Sequence, residues 1–306
     1  MLHQTRPAVC HPATTRRYHP IRERVATMAI RASTVSNRIY ADFLMPSRLP
    51  TYRHLLEACL EAGYAVVSIE TYWDLVKTAK LDPARRMVIL RNDIDTDPGT
   101  ARRMWEIGQE LGVGGSFFFR LSSLDVPLMQ AIAESGGHAS YHYEELATVA
   151  KRHRLRNRVD VDRHLGEAQD EFRRNLASLR ARTGLPLSIV ASHGDFVNRR
   201  LGIPNWFILT DRDFRRDTEI DLETYDEAIM GSVTSRHSDH LYPRYWLPED
   251  PLAAITRGER VVYILVHPRY WRVARAVNAR NDAARFWENM VYRLPVHRDP
   301  GQAPAP

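Results

Sequence analysis

Short, unbroken apolar runs separated by stretches of helical period restrict this chain's fold more than any other feature. "VILRND" (88–93), "SFFFRL" (116–121), "LSIVASHG" (187–194) and "RVVYILVHPRYW" (260–271) are such runs. A strand with one wet face alternates apolar and polar residues, whereas a strand apolar on both sides is buried on both, as in a parallel sheet between helices. Helical stretches lie between the runs. In "PTYRHLLEACLEAGY", Leu55, Leu56, Cys59 and Leu60 share a face and Gly63 is the stop. "DPGTARRMWEIGQELG" starts with Asp97 as N-cap and Pro98 at the first helical position, and stops at Gly112. "DVPLMQAIAESGG" is a further capped helix. "VDVDRHLGEAQDEFRRNLASLRARTG" is the longest, with Leu165, Ala168, Phe172, Leu176 and Leu179 at helical spacing. "AVVSIETYW" (65–73) and "HASYHY" (138–143) read as strands, "NWFILTDRDF" and "EAIMGSVTSR" as strand and turn regions, and "ARNDAARFWENMVYRL" as a last helix. The alternation predicts an α/β protein with a parallel sheet covered by helices.

With 306 residues, 44% hydrophobic and 26% charged, the chain can bury a sizeable core. One domain is expected over 48–295. Residues 1–35 are rich in arginine (Arg6, Arg16, Arg17, Arg22, Arg24, Arg31) against one acid, Glu23, and lack the apolar stretch of a secretory signal. They are expected to be a disordered extension, with Met28 as an alternative start, and 296–306 a disordered tail. The net charge of +6 comes from arginines, and no nucleic-acid partner is expected. Cys10 and Cys59 can build neither a disulfide framework nor a four-cysteine zinc site. No apolar run approaches the roughly 18 residues of a membrane helix, so a cytoplasmic location is expected.

Several apolar strands finish in polar residues: Asp93 and Asp95, Arg120, His142, Ser192 and His193, and His267. In β/α barrels the strand C-termini converge on the active site. Asp93 and Asp95, two apart, face one side of a strand, where two carboxylates repel unless a cation lies between them. A divalent metal resolves that repulsion. The plain alternative has Asp97 capping the helix, Asp95 bound to loop amides and Asp93 paired with an arginine. His138, Ser140, His142 and Glu144 share one strand face. His267 ends the most hydrophobic strand, where Pro268 turns the chain out, and its near-neutral pKa suits a general acid. Arg120 at the mouth suits an anionic group or a rim salt bridge.

These residues together resemble the polysaccharide deacetylase superfamily (the NodB-homology domain) over roughly 50–290. "RNDIDTDPG…ELGVGGSFFFRL" is similar to a branch with an R-H-D-V-D motif, a helix ending E-x-x-L-G and T-Y-F-F-R. "GGHASYHYEEL" is similar to its G-x-E-I-G-Y-H-Y-E, and "ASHG" and "YILVHPRYW" resemble its later motifs. The resemblance implies a deformed (β/α) barrel and metal-dependent hydrolysis of an N-acetyl or similar amide on a sugar, with a divalent metal, Zn²⁺ being the expected ion, and a carbohydrate partner. It implies Asp93 as general base, Asp95 as the neighbouring carboxylate on the metal, His142 as the first metal histidine, His267 as the acid for the leaving amine and Asp239 as an orienting acid. The chain departs from the pattern at Asn92, where a histidine precedes the first Asp, at His138, where Glu is usual, and at Leu146, where the second metal histidine belongs. A third ligand must then come from elsewhere, His193 or Glu144. A non-catalytic carbohydrate-binding relative and a hydrolase of another C–N bond, such as a cyclic amide, are the alternatives.

Overall fold

Met87–Ile94 is buried along all eight of its residues and runs through the middle of the sheet. The computed structural model describes residues 34–294. The expectations for residues 1–33 and 295–306 lie outside the described residues. Nine strands form the sheet: β1 (Ala65–Val67), β2 (Met87–Ile94), β3 (Ser116–Phe119), β4 (His138–Tyr143), β5 (Ile189–Ser192), β6 (Leu222–Glu223), β7 (Ser235–Asp239), β8 (Trp246–Leu247) and β9 (Val261–Val266). Their order is β6-β5-β4-β3-β2-β9-β7-β8, with β1 beside the start of β2. All pairs are parallel except β7–β8. β2 pairs with β1 through Met87–Ile89 on one side and then with β3 through Arg91–Ile94, while β9 lines its other side.

Strands in a flat sheet lie about 4.8 Å apart, which would separate β2 from β5, three steps away, by about 14 Å. Yet Asp95 Oδ1, just past β2, lies 3.6 Å from His193 Nε2, just past β5. Arg91 Nη1 on β2 donates to Thr224 Oγ1, next to β6, at 2.8 Å. The sheet therefore curls into an open, deformed (β/α) barrel whose unjoined ends are β6 and β8.

The absence of alternation along the strands follows from this shape. Val88 and Leu90 face outward and pack with Tyr52, Leu55 and Leu56 of the helix Leu49–Glu61 and Met104 of the helix Pro98–Leu111. Met87 and Ile89 face inward, against Phe118, Ile189, Ala191, Leu222 and Tyr263. Both faces are dry, so the period of two is hidden until Arg91 and Asp93 continue the inner row. Local signals fix the helix ends. Asp97 Oδ1 accepts from Thr100 N at 2.9 Å, and Gly112 takes the left-handed conformation (φ +64°) that ends the helix.

Three expectations are corrected. The strand expected over 65–73 ends at Val67, because Ser68 Oγ accepts from Thr71 N and caps a helix, Ile69–Lys77. The strand read in "NWFILTDRDF" is a 3₁₀ turn, Asn205–Leu209, followed by a helix, Arg212–Asp217, capped by Asp211. The longest helix is broken at His164 into Arg158–Arg163 and Leu165–Thr183, where the His164 ring Nδ1 bonds the Asp160 carbonyl at 2.9 Å. No helix among the described residues is long and apolar enough to cross a membrane.

Described structure also begins before residue 48. Asp42 is fully buried, accepting from Arg269 Nη2 at 2.8 Å and from Arg38 Nε at 2.6 Å, and its carbonyl accepts from Asn278 Nδ2 at 2.7 Å. This ties the first described residues to the turn after β9 and to the helix Arg275–Arg293. Removing one partner of a buried pair leaves the other charge uncompensated, at a cost of about 3–5 kcal/mol. Asp42→Ala is expected to lose about 3 kcal/mol in urea unfolding, with Leu44→Ser at the exposed neighbouring position near neutral. A loss under about 1 kcal/mol for Asp42→Ala would remove this segment from the cooperative fold.

Candidate metal centre and active site

The C-terminal rim of the barrel gathers the polar strand ends. The inner row of β2 continues past Ile89 as Arg91, Asp93 and Asp95. The Arg91 guanidinium is fully buried and grips Asp93 with both arms, Nε to Oδ1 and Nη2 to Oδ2, each at 2.7 Å. Burial opposes the charge on Asp93, but Arg91 and then His142 outweigh it, and the carboxyl is held below its usual range. Two of the three parts of the plain alternative are thus realised: Asp97 is the cap and Asp93 has its arginine. Asp95 differs, because its buried Oδ1 has no hydrogen-bond partner among the described residues.

The inner row of β4 supplies His138, His142 and Glu144. His142 Nδ1 lies 2.9 Å from the Ala191 carbonyl. A carbonyl can only accept, so Nδ1 carries the proton and Nε2 turns to the barrel interior. There it lies 3.4 Å from both Asp93 Oδ2 and Asp95 Oδ1. A neutral ring would point a lone pair at two carboxylate oxygens, which is repulsive unless a cation lies between them. His193 closes the group with Nε2 at 3.6 Å from Asp95 Oδ1. The donor atoms of Asp95, His142 and His193 all lie within 4.8 Å of one another. One orphaned carboxylate oxygen and two imidazoles form a donor set suited to a borderline divalent ion.

The other rim residues orient this group. His193 Nδ1 lies 3.2 Å from Glu144 Oε2. Glu144 is in turn gripped by Arg120, whose Nη2 donates to Oε1 at 2.6 Å and to Oε2 at 2.7 Å. Burial works against ionisation of Glu144, yet His193 and Arg120 drive its pKa far down. Glu144 therefore stands behind His193, and Arg120 holds a side chain of the rim. Burial also lowers the pKa of His193, with Asp95 acting against it. His138 lies deeper on the same face, 2.9 Å from Ser116 Oγ, and burial pushes its pKa down to about 4.

On the opposite wall, His267 follows β9 and Asp239 ends β7. Asp239 Oδ1 is 2.6 Å from His267 Nδ1, and Oδ2 accepts from His267 N at 2.7 Å and from Trp271 Nε1 at 2.8 Å. Burial alone would lower the His267 pKa, but the Asp239 charge and hydrogen bond raise it to about 9. Tyr270 packs on the His267 ring at 5.5 Å between centroids.

Sequence reading did not single out Arg91, Tyr270 or Trp271. Arg91 had a usable signal: a charged residue inside an apolar strand, two before an aspartate, needs a partner on its own face. A separate cavity of about 280 Å³, at the opposite end of the strands by Gly114, Gly115 and Gly137, holds none of these groups.

No protein-family model and no curated protein matches the chain. Among solved structures, a peptidoglycan deacetylase from Bacillus subtilis aligns with 68% of this chain and 87% of its own, at 13% identity and a TM-score of 0.35. A CE4 family pseudoenzyme from Bacillus anthracis aligns with 68% of this chain and 63% of its own, also at 13% identity, with a TM-score of 0.36. The chain thus spans less than two thirds of the second of these.

Proposed function

We propose that the protein is a divalent-metal-dependent hydrolase that removes an N-acetyl or similar acyl group from a sugar. The observation that carries this reading is the convergence of Asp95, His142 and His193, with Oδ1 of Asp95 buried and unsatisfied at its centre. These three side chains would hold the ion, with Zn²⁺ suited to the donor set. A bound ion supplies Lewis-acid polarisation of the acyl carbonyl and acidifies an attacking water. Asp93 takes up the proton from the nucleophile. Arg91 occupies one lone pair on each Asp93 oxygen and leaves the others, and it keeps the carboxylate ionised and fixed in orientation. His267, protonated at neutral pH, gives its Nε2 proton to the departing amine, while Asp239 holds Nδ1. Two titratable groups whose surroundings push their pKa values apart make an acid–base pair. The non-catalytic carbohydrate-binding alternative rests on Leu146, which is buried in the core where a second histidine would be expected.

Metal content and acetate release from N-acetylated sugars decide between the two. Asp95→Asn, His142→Ala and His193→Ala are each expected to lose bound metal. Asp93→Asn is expected to keep metal and lose turnover by roughly 10²–10⁴-fold, the usual cost of a missing general base. If wild type binds sugar with neither metal nor acetate release, the binding-protein reading holds. If both aspartate variants match wild type, the carboxylates have no part in chemistry.

The Asp239–His267 pair has its own signature. A histidine whose folded pKa is raised from 6.5 to about 9 stabilises the fold fully below 6.5 and loses that contribution as pH rises through about 9. Asp239→Asn should bring the imidazole titration, followed by NMR, back toward or below 6.5 and flatten this loss of stability between pH 6.5 and 9. An unchanged titration would show that another group sets the His267 charge.

A further inference from the structure

The helix Glu145–Arg152 starts at Glu144 of the rim and ends at a second histidine group. At 1.5 Å per residue its two caps lie about 13 Å apart, so the two groups share no ligand. His153 is the C-cap, with its N–H donating to the Val149 carbonyl at 3.0 Å. Its Nε2 lies 2.8 Å from Glu167 Oε2 and 3.0 Å from Oε1. The His164 ring stands beside it, 4.4 Å between centroids and inclined by 39°. A ring nitrogen of each histidine and a carboxylate oxygen of Glu167 all lie within 4.8 Å of one another.

The backbone around His164 is built to hold that ring. In an unbroken helix the His164 N–H would donate to the Asp160 carbonyl. Here it turns to the Val161 carbonyl at 3.0 Å, and the ring Nδ1 takes the Asp160 carbonyl at 2.9 Å instead. A carbonyl only accepts, so Nδ1 carries the proton and Nε2 keeps its lone pair. A carbonyl behind a histidine is the support that orients a metal-ligating imidazole. Glu167, in the first turn of the helix Leu165–Thr183, also accepts from Arg152 Nη1 at 2.9 Å. Arg152 has a second carboxylate as well, donating to Glu171 Oε2 at 2.8 Å and Oε1 at 3.1 Å. Turning Glu167 towards an ion therefore leaves the guanidinium paired.

An ion pair between His153 and Glu167 accounts for two of the three side chains and gives His164 no part. Two imidazoles packed together repel when both are protonated, and a shared cation removes the conflict. Two histidine nitrogens and one carboxylate suit a borderline divalent ion rather than Ca²⁺ or Mg²⁺, which take oxygen ligands. We propose that His153, His164 and Glu167 form a second site for a divalent transition metal of the Zn²⁺ class, separate from the rim. An ion there joins the end of the helix Glu145–Arg152 to the start of Leu165–Thr183 and holds the break between them.

Zn²⁺ titration by calorimetry tests this on the full chain carrying Asp95→Asn and His142→Ala together, which breaks the rim donor set. This chain should still bind Zn²⁺, and the ion should raise its melting temperature. Adding His153→Ala or His164→Ala should weaken the binding at least about tenfold, since even outer partners of a metal site are worth 10–100-fold. Helical circular dichroism checks the fold, and where His164→Ala disturbs the helix break, His153→Ala at the exposed position decides. A rim-broken chain that binds no Zn²⁺, or binds it as tightly after His153→Ala, overturns the site. Equal Zn²⁺ uptake by wild type and the rim-broken chain, lost in His153→Ala, supports this site and removes the rim ion instead.

Discussion

A fully buried guanidinium at the centre of the barrel sets what the rest of the interior can be. Arg91 cannot shed its charge, and a buried charge persists only when its donors are met. Asp93 meets two of them in the fork geometry that matches a carboxylate, and Nη1 turns to Thr224 Oγ1 at 2.8 Å and Tyr263 OH at 3.4 Å. The Phe118 and Tyr225 rings flank the plane at 5.5 and 5.0 Å. One side chain on β2 thereby reaches β9 on one side and the end of β6 on the other. Below it the inner row is apolar, from Met87 and Ile89 to Tyr263. Above it the row is polar up to the rim. The boundary between a packed floor and a polar mouth falls at this residue.

The consequence for Asp93 is that its charge and orientation are settled before any ligand arrives. A carboxylate fixed from below presents its remaining lone pairs upward, and its neighbour two residues on, Asp95, is left with an oxygen that no described residue satisfies with a hydrogen bond. Clustered negative charge at the end of a hydrophobic strand is thus divided. One carboxylate is neutralised by the protein, and the other is matched only weakly, by imidazoles at 3.4 and 3.6 Å.

How much of this was legible in the sequence depended on whether the signal was local. The cap at Asp97, the stop at Gly112 and the dry strands at 87–94 and 261–266 are determined within a few residues, and they read correctly. The stretches 65–73 and 205–214 did not, because short runs of aromatic and β-branched residues suit a strand or a helical turn equally, and Ser68 and Asp211 decide the matter. The strand-end residues of the rim could be read one by one, but which of them meet could not. That depends on the curl of the sheet, which brings His193 of β5 within reach of Asp95 while Leu146, four after His142, turns into the helix Glu145–Arg152 and its core.

The three rim histidines show how one residue type is sorted into different roles. In each, Nδ1 faces a neighbouring oxygen and Nε2 the interior, though only His142 and His267 make the hydrogen bond. For His142 the partner is a backbone carbonyl, which carries no charge and simply fixes the tautomer. For His193 it is Glu144, 3.2 Å away and gripped in turn by Arg120, and burial lowers the ring's pKa. For His267 it is Asp239, whose other donors are a backbone N–H and the Trp271 indole, neither of them charged. Burial opposes charge on the ring, but the Asp239 charge and hydrogen bond outweigh it and lift the pKa to about 9. A neutral imidazole can donate a lone pair and a protonated one can donate a proton. His193 and His267 thus differ in what meets the carboxylate behind the ring: Arg120 grips Glu144, while Asp239 accepts from neutral donors.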